Sequence, residues 1–188
     1  GHDWGAGIAW ELALEYPGEP IHSLSILNAI LPQRYFFHKI FRSGQIARSW
    51  YMLFFQIPWL PELLLKQLGP AGFARLIERS MGQSVNDGLA ESIPASTIAA
   101  AHDFGGVHYY RAAARWRSAS ERPLTIPGQL IYGCEDPVLG THFVDTSVTQ
   151  SWASNLQLHP LLGVGHWPHL EATAKVHTLL TRLWEGQA

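Results

Sequence analysis

The sequence predicts an α/β fold in which a parallel sheet is interrupted by a helical insertion. Two observations support this fold class. Short apolar runs alternate with amphipathic stretches near both ends of the chain, and the long segment between them has helical periodicity with little strand pattern. The 188 residues suffice for one domain with an insertion. We therefore assign residues 1–32 and 121–188 to an α/β core and residues 33–120 to a helical cap.

The first part of the chain predicts a tight turn, a helix and a strand. Apolar residues recur at helical spacing across residues 5–16, and Pro17-Gly18 ends that pattern. Residues 21–29 (IHSLSILNA) predict a buried strand that ends near Asn28. A turn, a helix and a strand in this order are typical of a parallel sheet, in which an earlier strand precedes the turn.

The middle of the chain predicts helices separated by glycine and proline. Breaks fall at Pro58, Gly69-Pro70, Gly82, Pro94 and Gly105-Gly106. The predicted helices cover residues 45–56, 61–68, 70–81, 96–104 and 107–117. This run of predicted helices is the reason for assigning residues 33–120 to a helical cap.

The α/β pattern resumes after about residue 121. Residues 126–134 (IPGQLIYGC) predict a strand, and the polar turn Glu135-Asp136-Pro137 follows it directly. We further predict a helix over 143–154, a strand over 155–161, a glycine-rich turn over 163–166 and a closing helix over 172–184.

Composition narrows the classes of function. With 13 Lys and Arg against 15 Asp and Glu, the net charge of −2 gives no electrostatic footprint for nucleic acid or an anionic membrane. No segment reaches transmembrane length, and no secretory signal is visible. The single cysteine, Cys134, excludes a disulfide framework or a cysteine metal site and fits a reducing compartment. We expect a cytoplasmic protein.

The opening residues Gly1-His2-Asp3-Trp4-Gly5 have the spacing of a nucleophile elbow, a strained strand-to-helix turn that lifts one side chain into a site. We expect both glycines to be needed because a Cβ would clash in such a turn. The lifted residue is Asp3, and a carboxylate nucleophile attacks carbon to leave an ester on the enzyme. The alternative is that Asp3 only caps the following helix.

Two further residues follow predicted strands in the order nucleophile, acid, histidine. Asp136 lies 133 residues after Asp3, and His166 lies 30 residues after Asp136. A neutral imidazole is a suitable base for a water that hydrolyses an ester, and a carboxylate behind it orients the ring. Each residue has a simpler interpretation: Asp136 before Pro137 suits a plain turn, and His169 is a nearby rival of His166.

Four segments give the chain a more specific resemblance. They are GHDWGAGIAWELALEYP, SWYMLFFQIPWLPE, HYYRAAARW and GVGHWPHLE. With these segments the chain resembles the C-terminal two-thirds of an epoxide hydrolase of the α/β-hydrolase superfamily. The resemblance implies that Tyr51 and Tyr110 polarise the epoxide oxygen, with Tyr109 as the rival for the second role. A phenol can protonate the alkoxide of an opening epoxide, although both tyrosines could also simply pack between cap and core.

The resemblance implies a reaction with water and a small apolar epoxide as its substrates. The backbone N–H of Trp4 is expected to stabilise the oxyanion of the second step, with another donor in an upstream His-Gly-x-Pro loop. Trp50, Phe54 and Phe55 are expected to line an apolar pocket, with Trp59 nearby. We expect no metal and no organic cofactor, since His2, His166 and His169 form no convincing ligand set. A homodimer is compatible with the sequence.

Three alternatives stay open. A haloalkane dehalogenase uses the same aspartate nucleophile, and the Trp4 indole N–H could hold a halide. A haloacetate dehalogenase fits less well, because that group resembles Gly-His-Asp-Arg where this chain has Trp4. A non-catalytic ligand-binding relative would not need Asp3, Asp136 and His166 together.

The position of the elbow at residue 1 leads to a further expectation. An elbow follows a strand, so we expect the early strands of the sheet to be missing from this sequence. On its own the chain would then be poorly stable and inactive, with apolar surface exposed on the strand at 21–29.

Overall fold

The structure, a computed structural model, describes residues 1–16, 20–28, 45–82, 105–115, 122–140 and 153–186. These ranges contain the strands β1 (Leu24–Leu27), β2 (Gly128–Gly133) and β3 (Leu156–Leu161). Their helices are α1 (Trp4–Glu15), α2 (Gln45–Arg48), α3 (Trp50–Phe54), α4 (Leu60–Arg79), α5 (Gly105–Ala113), α6 (Pro168–Glu171) and α7 (Thr173–Trp184). The helix predicted over 96–104 and nearly all of that predicted over 143–154 lie outside the described residues.

The three strands form one parallel sheet in the order β1-β2-β3. Leu24 pairs with Gly128, and Gly128 pairs with Leu156, so the strands begin in register. The predicted α/β class with a parallel sheet is confirmed. Because all strands run the same way, the residues that follow them meet at one edge, where open α/β sheets place their sites.

Both faces of the sheet are covered by helices. Helix α1 buries Trp10 and Leu14 with Ile26 and Leu130 on one face, and α7 buries Val176 and Leu179 on the other. Burying each such side chain contributes roughly 1.5–3 kcal/mol. The expected exposure of the strand at 21–29 is wrong for its described part, since Leu24, Ile26 and Leu27 are all buried.

The helices of the cap segment differ in detail from the prediction. The helix predicted over 45–56 is divided at Ser49 into α2 and α3. The predicted break at Gly69-Pro70 is confirmed, because α4 consists of the two predicted helices joined at a kink where Gly69 has a non-helical backbone (φ 64°, ψ 176°). The kink has a physical reason, because Pro70 has no N–H and restricts the residue before it. Helix α5 begins two residues before its predicted start and ends at Ala113.

The described helices between β1 and β2 belong to the segment assigned to the cap, but the domain boundaries stay a prediction. The short helix α6, which follows the glycine-rich turn, was not predicted. None of the helices in the described ranges has the length and apolar character needed to cross a membrane.

Candidate active site

The elbow lies against the end of β1. Leu27 N–H donates to the Gly1 carbonyl (2.9 Å), and Asp3 N–H donates to the Leu27 carbonyl (3.2 Å), so Gly1–Asp3 runs parallel to β1. Asp3 has φ 49° and ψ −120°, a strained backbone for a residue other than glycine. Asp3 occupies the N-cap position of α1, yet its side chain makes no capping hydrogen bond. Helix capping therefore does not account for its position.

The two elbow glycines have different roles. A Cβ added to Gly1 would lie 2.6 Å from the carbonyl carbon of Gly5, which is too close for a real contact. A Cβ added to Gly5 would meet nothing within 4 Å. The expectation that both positions exclude a side chain is therefore correct for Gly1 and wrong for Gly5. Position 1 excludes a side chain because the backbone of Gly5 lies against it.

Asp3, His166 and Asp136 lie together at the carboxyl edge of the sheet. Nδ1 of His166 is 2.8 Å from Oδ2 of Asp136, and Nε2 of His166 is 3.7 Å from Oδ1 of Asp3. The Asp136 and His166 side chains are buried, with 1% and 6% exposed, whereas Asp3 is 29% exposed. The imidazole thus faces a buried carboxylate on one side and a more accessible carboxylate on the other.

Asp136 is held by more than the histidine. Its Oδ1 accepts the backbone N–H groups of Val138 (2.7 Å) and Leu139 (3.0 Å). Its Oδ2 accepts Nδ2 of Asn28 (2.6 Å), a buried residue that follows β1 with φ 37°. The sequence reasoning identified no role for Asn28. The available signal was a polar residue directly after a buried strand, which is the feature that singled out Asp136.

Burial and charge set the protonation of the site. Burial raises the pKa of Asp3, while the neighbouring His166 and the Trp4 backbone N–H lower it in part. Burial alone would lower the pKa of His166, but the hydrogen bond and charge of Asp136, with the charge of Asp3, outweigh it and raise this pKa above its usual value. The imidazole therefore gains a proton more readily than a free histidine does.

Aromatic residues of the cap segment contact the elbow. The ring of Tyr110 packs edge-on against Trp4 (4.9 Å between centroids) and against Tyr51 (5.5 Å). Burial raises the pKa of Tyr51 and of Tyr110, the latter to about 12, and the charge of Asp3 contributes to both shifts. The two phenols therefore stay protonated at neutral pH, within the electrostatic reach of the Asp3 carboxylate.

Tyr110 and Tyr109 differ in their surroundings within this aromatic cluster. The neighbouring side chains of Trp4 and Tyr51, whose rings contact that of Tyr110, lower the pKa of the Tyr110 hydroxyl against the effect of burial. Tyr109 stacks on Trp4 at 6.2 Å and is half exposed.

The residues expected to line an apolar pocket differ in their distance from the two tyrosines and in their exposure to solvent. Phe55 contacts both Tyr51 (5.7 Å) and Tyr110 (4.9 Å). Phe54 packs on Phe55 at 5.8 Å, and Trp50 packs on Phe54 at 5.9 Å with 61% of its surface exposed. Trp59 is 83% exposed. The contacts thus lead from the two tyrosines outward to Trp50.

Arg111 joins the two tyrosine-bearing segments, a role that the sequence reasoning missed. Its guanidinium forms an ion pair with Glu62 and donates to the carbonyls of Phe55 and Ile57 (both 2.9 Å). Gln56 also donates to the Tyr110 carbonyl (3.0 Å). These bonds fix the chain after Tyr51 relative to the chain at Tyr110. The signal in the sequence was the arginine next to Tyr110.

His2 and His169 pack beside the histidine loop. Their ring centroids are 4.7 Å apart, and Nε2 of His2 lies 2.7 Å from the His166 carbonyl oxygen. Burial, followed by the nearby His166, lowers the pKa of His2 to about 3. Within the described ranges, no three histidine, cysteine, aspartate or glutamate side chains are grouped so that they could hold a metal ion.

A parallel sheet covered by helices, with a carboxylate, an imidazole and a second carboxylate at its carboxyl edge, defines an α/β protein with a hydrolase-type site. The chain belongs to the alpha/beta hydrolase family, whose model matches residues 1–178.

Relatives and solved structures add detail. The chain is 32% identical over 184 residues to epoxide hydrolase 3 of Mus musculus, covering 88% of this chain and 46% of that protein. It is 28% identical over 176 residues to epoxide hydrolase 4 of Homo sapiens, covering 89% and 47%. The crystal structure of an epoxide hydrolase of Bacillus megaterium in complex with an inhibitor superposes with a TM-score of 0.74 at 23% identity, covering 98% of this chain and 67% of that one. That similarity supports the fold. The chain spans about half the length of the two curated relatives.

Proposed function

We propose that the full-length protein is an epoxide hydrolase that converts a small apolar epoxide and water into a vicinal diol. The observation that carries this proposal is the arrangement of Tyr51 and Tyr110. Their ring centroids lie 5.5 Å apart, and the charge of Asp3 contributes to the raised pKa of each phenol. Proton donors on one side and a carboxylate on the other suit a substrate that must be attacked at carbon while its oxygen is protonated.

The first step forms an ester on Asp3. The carboxylate attacks an epoxide carbon, the carbon–oxygen bond breaks, and the developing alkoxide takes a proton from a tyrosine hydroxyl. Tyr110 and Tyr51 hold that oxygen, and Phe55 provides the adjoining apolar wall. Positioned acid catalysis of this kind contributes typically 10²–10⁴-fold in rate.

The second step hydrolyses the ester. His166 removes a proton from a water that attacks the carbonyl carbon of the Asp3 ester, and Asp136 stabilises the imidazolium that forms. The backbone N–H of Trp4, which lowers the pKa of the Asp3 carboxyl, supports the oxyanion. The acyl–oxygen bond of the ester then breaks, and the imidazolium of His166 protonates the leaving alkoxide, so that the diol leaves. The remaining proton of the attacking water, left on the Asp3 carboxyl, returns to the tyrosine that lost one. A carboxylate nucleophile needs no metal or organic cofactor for these steps.

The contacts of Trp4 favour this proposal over a haloalkane dehalogenase. A halide site would need the indole N–H of Trp4 to face the substrate, but the Trp4 ring packs against the rings of Tyr110 and Tyr109. A non-catalytic ligand-binding relative is the alternative of another class. The placement of His166 between Asp136 (2.8 Å) and Asp3 (3.7 Å) argues against a non-catalytic relative, because ligand binding alone does not require this arrangement.

Several properties of the whole protein are part of the proposal. The cap at 33–120 closes over a core formed by 1–32 and 121–188, the protein is cytoplasmic, and a homodimer is compatible with the sequence. We also propose that the chain of 188 residues alone is inactive. Diol formation by this chain in isolation would refute that last point.

The test compares two substrate classes with the full-length protein. Styrene oxide and 1-bromobutane are incubated separately, with chromatography for the diol and ion analysis for bromide. We expect diol from styrene oxide, no bromide above background, and loss of diol formation in Asp3→Asn. Bromide release without diol would favour the dehalogenase, and binding of styrene oxide without either product would favour the non-catalytic relative.

A further inference from the structure

The carboxylate of Glu171 accepts three backbone hydrogen bonds from two different parts of the chain. Its Oε2 accepts the N–H groups of Gly82 (2.7 Å) and Gly165 (2.8 Å), and its Oε1 accepts the N–H of Trp167 (2.9 Å). Gly165 and Trp167 flank His166, whereas Gly82 follows the cap helix α4. One side chain at the end of α6 thus joins the cap segment to the loop that carries the candidate base.

The same two segments make further contacts beside Glu171. The N–H of His166 donates to the Ser80 carbonyl (2.9 Å), and the indole N–H of Trp167 donates to the Ser80 hydroxyl (2.6 Å). The backbones approach so closely that a Cβ added to Gly82 would lie 2.6 Å from the Gly163 carbonyl oxygen. This contact therefore depends on glycine at position 82.

The backbone on both sides of the His166 ring is therefore fixed. The Gly165 carbonyl accepts Nδ2 of Asn28 (3.0 Å), while the Gly165 N–H donates to Glu171. A shift of this backbone would move Nε2 of His166 relative to Asp3, from which it is separated by 3.7 Å. Displacements of about 1 Å can cost 10²-fold in a catalysed rate.

We propose that Glu171 is a positioning residue that ties the cap segment 80–82 to the histidine loop and so sets His166 for ester hydrolysis. This inference rests on the proposed epoxide hydrolase function. The three hydrogen bonds of Glu171 are with Gly82 and with the loop that carries His166, and none is with Asp3 or a tyrosine, so its effect is expected on the second step. A carboxylate suits the task because all three partners are N–H donors. A glutamine would present its own N–H₂ group to at least one of them.

The expected effect is specific to one step. In Glu171→Gln, hydrolysis of the Asp3 ester should slow by about 10- to 100-fold, whereas ester formation should stay within about threefold. The ester, a transient species in the parent protein, should accumulate. Gly82→Ala should reproduce this pattern from the cap side, because the added methyl group separates the same two backbones.

The experiment mixes the full-length protein with styrene oxide and quenches in acid over a time course. Intact mass spectrometry then follows the covalent ester, and thermal unfolding of each variant is recorded. Glu185→Gln is the control for Glu171→Gln, as the same change at an exposed residue beyond α7. Gly106→Ala is the control for Gly82→Ala, because a Cβ there meets nothing within 4 Å. Both controls should match the parent protein.

The outcomes separate this inference from the function on which it rests. Accumulated ester in Glu171→Gln and Gly82→Ala, with normal ester formation, supports the positioning role. Ester hydrolysis within threefold of the parent in Glu171→Gln, or an equal loss of both steps, overturns it. A parent protein that forms no diol refutes the proposed function instead. In that case the Nδ1–H resonance of His166 still tests the positioning, since it should broaden in Glu171→Gln and persist in Glu185→Gln; an unchanged resonance overturns the inference.

Discussion

Nδ2 of Asn28 lies 2.6 Å from Oδ2 of Asp136, the same oxygen that Nδ1 of His166 contacts at 2.8 Å. The side chain of Asn28 also accepts the backbone N–H of Gly133 (2.9 Å) and donates to the Gly165 carbonyl (3.0 Å). One buried amide thus links the ends of β1 and β2 to the loop after β3. The acid and the base of the candidate site depend on the same amide for their placement.

Removal of this amide should lower both stability and activity. In Asn28→Ala, the buried groups of Gly133 and Gly165 lose their partner, and an unsatisfied buried polar group costs about 1–3 kcal/mol. We expect the free energy of unfolding, measured by chemical denaturation, to fall by roughly that amount. Asn155→Ala is the matched control, because Asn155 is exposed and its bond to the Thr125 carbonyl is 3.5 Å long. An equal loss of stability in both variants would contradict the role of Asn28.

The two cap tyrosines should act on ester formation. Tyr51→Phe and Tyr110→Phe each remove a hydroxyl that holds or protonates the epoxide oxygen, so rapid-quench measurements should show ester formation slowed by about 10²–10⁴-fold. Hydrolysis of a preformed ester should be nearly unchanged. Tyr109→Phe is the control, since Tyr109 stacks on Trp4 but is half exposed. If Tyr109→Phe were the slow variant and Tyr110→Phe were normal, the assignment of the second donor would be reversed.

The pH dependence of ester hydrolysis should follow His166. The base must be neutral, so the rate should increase with pH through the pKa of His166, which the hydrogen bond and charge of Asp136 raise. Asp136→Asn removes the largest influence that raises this pKa, so the midpoint should move to lower pH. The maximal rate should drop by a factor on the order of 10⁴, as expected for loss of the orienting carboxylate. Single-turnover rates from pH 5 to 9 test this, and an unchanged midpoint in Asp136→Asn would count against the coupling.

The elbow glycines should respond differently to the same substitution. Gly1→Ala places a methyl group against the Gly5 backbone, and overpacking of this kind costs about 1–3 kcal/mol. Gly5→Ala meets no neighbouring atom and lies within α1, where alanine is favoured over glycine by about 0.5–1 kcal/mol. Thermal unfolding of the full-length variants should therefore move in opposite directions. Equal destabilisation by both changes would refute this description of the turn.

The sheet and the site-bearing turns were predictable because their signals are local. Apolar runs predicted the three strands, and polar or glycine-rich residues directly after them predicted the positions of Asp136 and His166. The elbow spacing predicted the turn at Asp3, and the structure adds the strained backbone and the absence of a capping bond. These features depend on residues adjacent in sequence.

The supporting contacts were not predictable because their partners are far apart in the chain. Asn28 meets Asp136 across 108 positions, and Glu171 meets Gly82 across 89. No periodicity encodes such pairs. The break at Gly69-Pro70 was predictable, in contrast, because glycine followed by proline is a local signal.

The central claim is that Asp3 forms a covalent ester with the substrate, and the most direct test blocks the second step. His166→Gln in the full-length protein removes the base, so incubation with styrene oxide should increase the intact mass by one substrate. Proteolysis and tandem mass spectrometry should locate the adduct on Asp3, and Asp3→Asn/His166→Gln should carry none. Absence of an adduct from His166→Gln while the parent protein forms diol, or an adduct on any other residue, would contradict the account.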